Sequence, residues 1–477
     1  MANRKSRDYT VTTGTIERAP DGTMPMPGED CAGTGHPPDG PVVVLGAGLA
    51  GLAAALRLRS LPVTLVERAE TVGGKARTHR RDGFAFDVTG HWLHLRNAAV
   101  RELVLELLAG HGLIEISRRA RVWTSGVMVP YPFQAHIGWL PWKIRLRCLT
   151  GFLGARARQI GRPDGPPDRF EDFVVGQFGA AMARHFFVPY YTKFWGASAD
   201  RLTFEWLERY FPMPSTAQVL GGALGLRQDR VGYNARFFYP VHGGIDVLPR
   251  ALLAARVQHG KLALRLSTDV EEIDLPGRRI RLSGAREWLG WRALVSTIPL
   301  PDLLDRIPSL PAQVRAARSH LRSIPLRYLN VGLRSPSPIR EHWIYVPDSP
   351  YPFYRMGVFT NAAPQMAPPG CAALWVEIGD PAGPADLPGV IHGLARMGAV
   401  ASAGDVLFAE QHDVEHAYVV FDDMRQDAVD IIVGWLAGHR VFSCGRYGGW
   451  TYGSMEDAIL DGFSAADQVM ALKEPPK

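Results

Sequence analysis

Residues 42–51 read VVVLGAGLAG, and this stretch decides the fold of the chain. Its apolar β-branched run predicts a buried parallel strand, and the alanine-rich segment after it predicts a helix. Between the two, Gly46 allows a tight turn, Gly48 lets the backbone approach a pyrophosphate, and Gly51 lets helix and strand pack closely. The free N–H groups of the helix N-terminus would then face the phosphates.

A second strand and an acidic residue follow in the order that a dinucleotide-binding unit requires. The apolar run Val63–Val66 predicts this strand, and Glu67 ends it. At that position a carboxylate can accept hydrogen bonds from ribose hydroxyls. The alternative is a structural turn in an unrelated α/β domain. The complete order of strand, glycine turn, helix, strand and acid argues against it.

A second glycine turn narrows the cofactor. Residues 71–77 read TVGGKAR and resemble the second glycine signature of FAD enzymes of the amine oxidase, protoporphyrinogen oxidase and UDP-galactopyranose mutase group. A Gly-Gly turn followed by basic residues suits close approach to a diphosphate and a ribityl chain. The resemblance implies bound FAD. The residues expected to hold it are Gly46, Gly48, Gly51, Glu67, Arg68, Gly73, Gly74, Lys75, Arg77, Gly90, Gly445, Arg446 and Met455.

The length and composition of the chain limit the number of domains and the classes of function that are possible. The 477 residues can form two or three domains, and 46% hydrophobic with 21% charged residues is ordinary for a soluble globular protein. The net charge of +6 is modest, and no lysine-rich run or aromatic-basic interleaving indicates nucleic-acid binding. The four cysteines lie far apart, which predicts reduced cytoplasmic thiols without a metal site. No signal peptide and no integral membrane segment are expected.

The order of predicted elements indicates an α/β protein. A Rossmann-type FAD-binding domain is expected to carry an inserted helical region and an antiparallel β-sheet substrate domain. Residues 1–40 are rich in proline and glycine without apolar periodicity, which predicts a disordered leader. The remaining predicted segments are the FAD-binding domain in three pieces (41–97, 236–315 and 405–477), a mainly helical substrate region (98–235) and the β-sheet substrate domain (316–404).

Several short stretches, in order along the chain, resemble eukaryotic-type UDP-galactopyranose mutases. They are YPFQ at 131–134, PYYTKFW at 189–195 against the family's PYNxKxW, YNARFFYP at 233–240, WIYVP at 343–347 with PFYR at 352–355, and GRYGGWTY at 445–452. The resemblance therefore extends from about residue 41 to the end. It implies a mutase-like flavoprotein within the amine oxidase superfamily.

That resemblance implies unusual flavin chemistry. In this family reduced FAD is not a hydride carrier, because its N5 acts as the nucleophile at the anomeric carbon of a nucleotide sugar. We therefore expect a pyranose/furanose mutase acting on UDP-galactose or a related nucleotide sugar. An electron donor such as NAD(P)H or a reductase would keep the flavin reduced. Such a site needs a cation for the diphosphate, aromatic surfaces, and hydroxyls near the anomeric carbon.

The matched motifs supply these residue types. Arg355 is the best candidate for a diphosphate clamp, although an arginine taken alone is more often ion-paired. The predicted catalytic set is Arg355, Tyr345, Tyr418, Tyr452 and His91, the last matching a histidine that lies beside the flavin in the family. The predicted substrate-binding set is Tyr131, Phe133, Gln134, Phe186, Tyr191, Trp195, Arg209, Asn234 and Trp343. Aromatic residues such as Phe186 and Trp195 are more often core than ligand platforms.

Departures from the family pattern cluster around the expected sugar and diphosphate. The asparagine of the PYN motif is Tyr191, Arg209 follows Trp206 by three positions instead of four, and a family tyrosine is replaced by Ala362. These changes put UDP-galactose itself in doubt. Two alternatives stay open. One is an FAD-dependent oxidoreductase that takes hydride from a small organic substrate, and the other is a non-catalytic flavin-binding protein. Apolar surroundings at Tyr345, Arg355 and Tyr452 would favour the oxidoreductase.

Overall fold

The computed structural model describes residues 40–159, 169–196, 203, 211–226, 236–379 and 384–472. The predicted leader, apart from residue 40, lies outside these residues, as do the predicted substrate-binding residues Arg209 and Asn234. The strands are β1 (Val42–Leu45), β2 (Val63–Val66), β3 (Thr78–Arg81), β4 (Phe84–Asp87), β5 (Leu113–Ser117), β6 (Ala120–Thr124), β7 (Val127–Pro130), β8 (Arg236–Pro240), β9 (Leu262–Arg265), β10 (Val270–Asp274), β11 (Arg279–Leu282), β12 (Trp288–Gly290), β13 (Ala293–Ser296), β14 (Ser323–Leu333), β15 (Trp343–Tyr345), β16 (Arg355–Val358), β17 (Ala372–Ile378), β18 (Val406–Val419) and β19 (Val441–Ser443).

Helices connect and cover these strands. The α-helices are α1 (Leu49–Arg57), α2 (Ala98–Leu107), α3 (Trp142–Gln159), α4 (Phe170–Met182), α5 (Val188–Trp195), α6 (Thr216–Ala223), α7 (Val247–Val257), α8 (Leu300–Asp305), α9 (Ala312–Arg318), α10 (Leu387–Arg396), α11 (Arg425–Gly438), α12 (Gly445–Gly448) and α13 (Met455–Met470). A π-helical turn, Ala183–Phe187, joins α4 to α5. Among the described residues, no helix combines the length and the apolar character needed to cross a bilayer.

A five-stranded parallel sheet forms the centre of the Rossmann-type domain. Its strand order is β19-β13-β1-β2-β9, and β1 pairs in parallel with β13 on one side and β2 on the other. All four residues of β1 and of β2 are buried, as expected for strands covered on both faces. Helices α1 and α13 pack so closely that a Cβ at Gly462 would lie 2.2 Å from the carbonyl oxygen of Ala50.

A seven-stranded mixed sheet forms the second layer. Its strand order is β18-β14-β17-β16-β15-β6-β7, and its pairs are antiparallel except for the parallel pair β15 and β6. In β17, residues 372–378 are all buried, because core packs on both faces of this central strand. The predicted fold class, a parallel nucleotide-binding sheet with an added antiparallel substrate sheet, is confirmed.

The structure corrects one predicted segment boundary. The C-terminal FAD-binding segment was predicted to start at residue 405, but β18 pairs along β14 and belongs to the seven-stranded sheet. The two strands are more than 70 residues apart in sequence, so a local pattern does not reveal their pairing. The region predicted as mainly helical, 98–235, also contains the short strands β5, β6 and β7, and the last two extend the seven-stranded sheet.

Candidate functional site

The two glycine turns meet at the carboxyl end of the parallel sheet. Gly46 has φ +93°, a conformation that glycine adopts without strain, and a Cβ at Gly51 would lie 1.9 Å from the carbonyl oxygen of Gly46. Gly48 forms a parallel β-bridge with Gly73, and a Cβ at Gly74 would lie 3.0 Å from the Gly48 Cα. Helix α1 therefore begins beside the backbone of the two glycine turns, as the glycine spacing predicts.

Glu67 ties the first glycine turn to the second strand. Its Oε2 accepts a hydrogen bond from the Ala47 backbone N–H at 2.8 Å, and its Oε1 accepts one from the Ala69 N–H at 2.9 Å. The carboxylate is buried and lines the cavity at the end of β2. It therefore holds the turn in place, and the contact with ribose hydroxyls stays a prediction.

Basic side chains crowd beside these turns. Burial and the nearby Arg77, Arg68 and Arg446 lower the pKa of Lys75 to about 8, and Glu415 opposes them. Arg77 donates to the carbonyl of Gly74 at 2.7 Å and so stays beside the second turn. Clustered cations next to free backbone N–H groups form a site for phosphate groups.

The loop after β4 brings His91 to the cavity. Thr89 has φ +62°, which is unusual for a β-branched residue. A Cβ at Gly90 would lie 2.6 Å from the ring of Trp343, so only glycine fits there. Burial lowers the pKa of His91 to about 4, and its imidazole is therefore neutral at pH 7.

A cavity of about 650 Å³ connects the glycine turns to the face of the seven-stranded sheet. Its volume lies in the range of small-molecule sites. Most residues predicted to act in binding or catalysis line it. They are Gly46, Gly48, Glu67, Arg68, Gly73, Gly74, Lys75, Arg77, Gly90, His91, Tyr131, Gln134, Phe186, Tyr191, Trp343, Tyr345, Arg355, Tyr418, Gly445, Arg446, Tyr452 and Met455.

Among the described residues, two of those predicted to bind substrate do not line this cavity. Phe133 is fully buried and packs against Phe186 with ring centroids 5.2 Å apart. Trp195 is buried beside Phe194 at the end of α5. Both are core residues behind the cavity wall, and their assignment to substrate binding is corrected. Gly51 does not line the cavity either, because its role is the close packing of α1.

Arg355 lies in the cavity wall, but its charge is balanced. It faces Glu377 directly across β16 and β17, and its Nε donates to Glu377 Oε2 at 2.8 Å. Glu377 is fully buried and also accepts a 2.6 Å hydrogen bond from the Tyr354 hydroxyl. Arg355 Nη2 donates to the Tyr418 hydroxyl at 2.8 Å. The predicted diphosphate clamp is thus one half of a buried ion pair.

A second guanidinium, Arg118, enters the same half of the cavity. It donates to the hydroxyl of Tyr345 at 2.9 Å and lies over the rings of Tyr131 and Trp343 at 5.4 and 5.3 Å. Within the described part of the chain, it has no carboxylate partner. Burial, Arg118 and Arg96 lower the pKa of the adjacent His94 to about 4, so its imidazole is neutral beside these cations.

Sequence reasoning missed Arg118 and Glu377. A signal for Glu377 exists, since it is the one charged residue in the apolar run AALWVEI at 372–378. Such a residue in a buried strand requires a partner. Arg118 precedes β6 in an Arg-Arg pair, and nothing in that local pattern indicates that its side chain turns into a cavity.

The geometry defines a class of protein, an α/β enzyme fold built to bind a dinucleotide cofactor. Backbone N–H groups, a carboxylate at the end of the second strand and a cluster of cations converge on one end of the cavity. These donors fit the diphosphate of a flavin dinucleotide. Aromatic rings and hydroxyls at the other end leave room for a second ligand.

Comparison with known proteins identifies the family. The model of the flavin-containing amine oxidoreductase family matches residues 49–470, and the chain belongs to this family. Its fold, its flavin cofactor and its character as a flavin-dependent enzyme agree with the site.

Individual relatives differ in activity. A crystal structure of reduced UDP-galactopyranose mutase is similar with a TM-score of 0.82 and 25% identity, covering 91% of this chain and 96% of that one. Cyclohexylamine oxidase from Brevibacterium oxydans IH-35A has a TM-score of 0.61 and 16% identity, covering 90% of this chain and 98% of that one. A phytoene dehydrogenase of Streptomyces griseus is 29% identical over 318 residues, 58% of each chain, so this chain spans just over half of that relative.

Proposed function

We propose that this protein is an FAD-dependent mutase that interconverts the pyranose and furanose forms of a nucleotide sugar. The supporting observation is one polar wall of the cavity, where Arg118 and Arg355 lie with the hydroxyls of Tyr345 and Tyr418. Apolar surroundings would favour hydride abstraction from a small organic molecule. This wall is instead cationic and hydroxyl-rich, which favours an anionic substrate. The likeness to a UDP-galactopyranose mutase over 91% of the chain points the same way.

In this proposal the two glycine turns and the basic cluster of Arg68, Lys75, Arg77 and Arg446 hold the FAD. Reduced FAD supplies the nucleophile for the anomeric carbon of the sugar. Neutral His91 lies in the loop beside the cofactor and adds no charge there. The rings of Tyr131, Tyr191 and Trp343 provide flat surfaces for the base and the sugar.

Arg118 is proposed to bind the substrate diphosphate. Its guanidinium can form two parallel hydrogen bonds to phosphate oxygens while Tyr345 holds it from one side. Burial raises the pKa of Tyr418 well above its usual value, so its hydroxyl stays protonated and can donate to a phosphate oxygen. Arg355 orients that hydroxyl, and Glu377 fixes Arg355.

The test is a sugar-isomerisation assay on the flavin-loaded protein. UDP-galactofuranose is incubated with and without dithionite, and the products are separated by chromatography. We expect UDP-galactopyranose only when the flavin is reduced, with NADPH as a candidate physiological donor. Conversion that is equally fast with oxidised flavin, or none with any nucleotide sugar tried, would contradict the mutase assignment.

One observation favours a second candidate, an FAD-dependent oxidoreductase. Glu377 neutralises Arg355, so this end of the cavity is less cationic than two free guanidinium groups would make it. The dehydrogenase and the amine oxidase among the similar proteins belong to this class. Anaerobic mixing of the oxidised protein with amines or with polyenes tests it. Bleaching of the flavin absorbance by one of them, without nucleotide-sugar isomerisation, would establish the oxidoreductase.

A further inference from the structure

Helix α3 has two apolar faces, and among the described residues only one of them is covered. Cys148, Phe152 and Ala155 recur at helical spacing and are buried against α4. The helices approach so closely there that a Cβ at Gly179 would lie 2.4 Å from the Gly151 carbonyl carbon. This face accounts for the stability of the helix.

The second face is exposed. Trp142, Leu146 and Leu153 are 64%, 52% and 45% exposed, and with half-buried Leu149 they follow the spacing i, i+4, i+7, i+11. These four residues are termed the Trp142 face. A helix that needed only its contact with α4 would carry polar residues here.

The Trp142 face continues into neighbouring exposed residues. Trp139 is 55% exposed, and a Cβ at Gly138 would lie 2.4 Å from the carbonyl oxygen of Gly222. This contact brings the exposed side chains of Leu224 and Leu226 to the same region. A contiguous exposed apolar patch of this kind normally marks a binding surface.

Basic residues flank the Trp142 face on both sides. Exposed Lys143 and Arg147 lie along one side of it. On the other side, Arg145 donates to the Gly138 carbonyl, and Arg156 donates to Gln159 and Gln177 and so stays against α4. The helix sequence, residues 142–159, contains no aspartate or glutamate. A tryptophan- and leucine-rich stripe between lysines and arginines is the pattern of helices that lie in the interface of an anionic membrane.

We propose that the Trp142 face docks this protein onto an anionic phospholipid bilayer. Trp142, Leu146 and Leu153 enter the headgroup boundary, and exposed Lys143 and Arg147 contact lipid phosphates. A two-fold symmetric contact with a second copy is disfavoured, because it would place these cations against their own counterparts. The cavity lies nearby, since Gln134 of the cavity wall and Trp139 sit on consecutive short helical segments.

Vesicle sedimentation of the flavin-loaded protein tests this proposal. We expect binding to vesicles of equal parts phosphatidylcholine and phosphatidylglycerol, weakened by salt, and little binding to pure phosphatidylcholine. The double variant Lys143→Gln/Arg147→Gln should bind about 25-fold more weakly, at about fivefold per charge. Trp142→Ser/Leu146→Ser should lose at least about tenfold. Leu407→Ser, at an exposed leucine on β18, is the matched control and should bind normally.

Flavin content and melting temperature show that each variant is folded. Absence of binding to the anionic vesicles, or equal binding by all variants, would overturn the proposal. A wild-type dimer that becomes monomeric in Trp142→Ser/Leu146→Ser, measured by light scattering, would show that the face joins two copies. Binding to soluble polyglutamate that is unchanged by the Trp142 and Leu146 substitutions would show that this surface binds acidic proteins. Either result would overturn membrane docking.

Discussion

The two ends of the cavity differ in how their positive side chains are balanced by other charges. At the glycine turns, burial of Lys75 and its proximity to Arg77, Arg68 and Arg446 lower its pKa to about 8. At the seven-stranded sheet, Arg355 is paired with a fully buried carboxylate, Glu377. Like charges that crowd together favour a bound anion, whereas a compensated pair is complete without a ligand.

Because of this difference, we expect the cations at the two ends to bind different ligands. The crowded end is built for the cofactor diphosphate, which would relieve the repulsion around Lys75. At the other end, the described contacts of Arg118 are the Tyr345 hydroxyl and two aromatic rings, and we expect it to be better placed than Arg355 to bind an anionic substrate. In the proposed function, Arg355 would then act on the substrate through Tyr418.

The largest effect should come from breaking the compensated pair. Glu377→Ala would leave the buried guanidinium of Arg355 without a counter-charge and is expected to destabilise the protein by about 3–5 kcal/mol. Urea unfolding followed by circular dichroism measures this change. Replacing both partners, Arg355→Met/Glu377→Leu, should recover most of the loss, because no charge stays buried.

Glu410→Ala provides the matched control for that experiment. Glu410 is an exposed carboxylate on β18, and its removal should cost less than about 1 kcal/mol. If Glu377→Ala cost no more than Glu410→Ala, Arg355 would not depend on its partner. The two ends of the cavity would then not differ in the way described above.

The next effect concerns ligand binding. Arg118→Gln should weaken binding of UDP, used as a probe of the substrate diphosphate, by about 1.5–3 kcal/mol, because one charge-assisted contact is lost. Titration calorimetry on the flavin-loaded protein measures this. Stability should change little, since Arg118 has no carboxylate to leave unpaired in the described part of the chain.

Arg250→Gln is the control for Arg118→Gln. Arg250 is an exposed arginine on α7 that pairs with Asp246, and UDP affinity should be unaffected by its replacement. Normal UDP affinity in Arg118→Gln, with full flavin content, would rule out Arg118 as the diphosphate ligand. It would return that role to Arg355.

Local sequence pattern predicts the cofactor end of this site better than the substrate end. The positive φ of Gly46 and the packing of Gly51 against the Gly46 carbonyl belong to one local turn, so the glycine spacing alone reveals them. The pairing of Arg355 with Glu377 depends on the register of β16 against β17, which only tertiary structure sets.

The sequence pattern also fails to predict which of the motif side chains face the cavity. Phe133 and Gln134 are consecutive, yet only Gln134 lines the cavity, and it also donates to the Pro212 carbonyl at 2.6 Å. The motif predicts that this segment lies at the site. It does not predict which side chain faces the ligand, because a short helical turn directs successive side chains in different directions.

The smallest predicted effect is a pH dependence of flavin binding. In the flavin-free protein Lys75 has a pKa of about 8, far below its unfolded value, so above that pH it is mostly neutral. A bound diphosphate favours the charged form, and binding above pH 8 must therefore take up a proton. FAD affinity should fall as pH rises, by at most about tenfold per pH unit. Fluorescence titration of the flavin-free protein measures this.

Two variants decide whether that dependence belongs to Lys75. Lys75→Met should bind FAD more weakly at neutral pH and should lose the dependence above pH 8, because no proton is taken up there. Lys143→Gln removes an exposed lysine from α3 and should keep the wild-type profile. A slope that persists in Lys75→Met would assign the titration to another group. The crowding of Lys75, Arg68, Arg77 and Arg446 would then not be what the cofactor relieves.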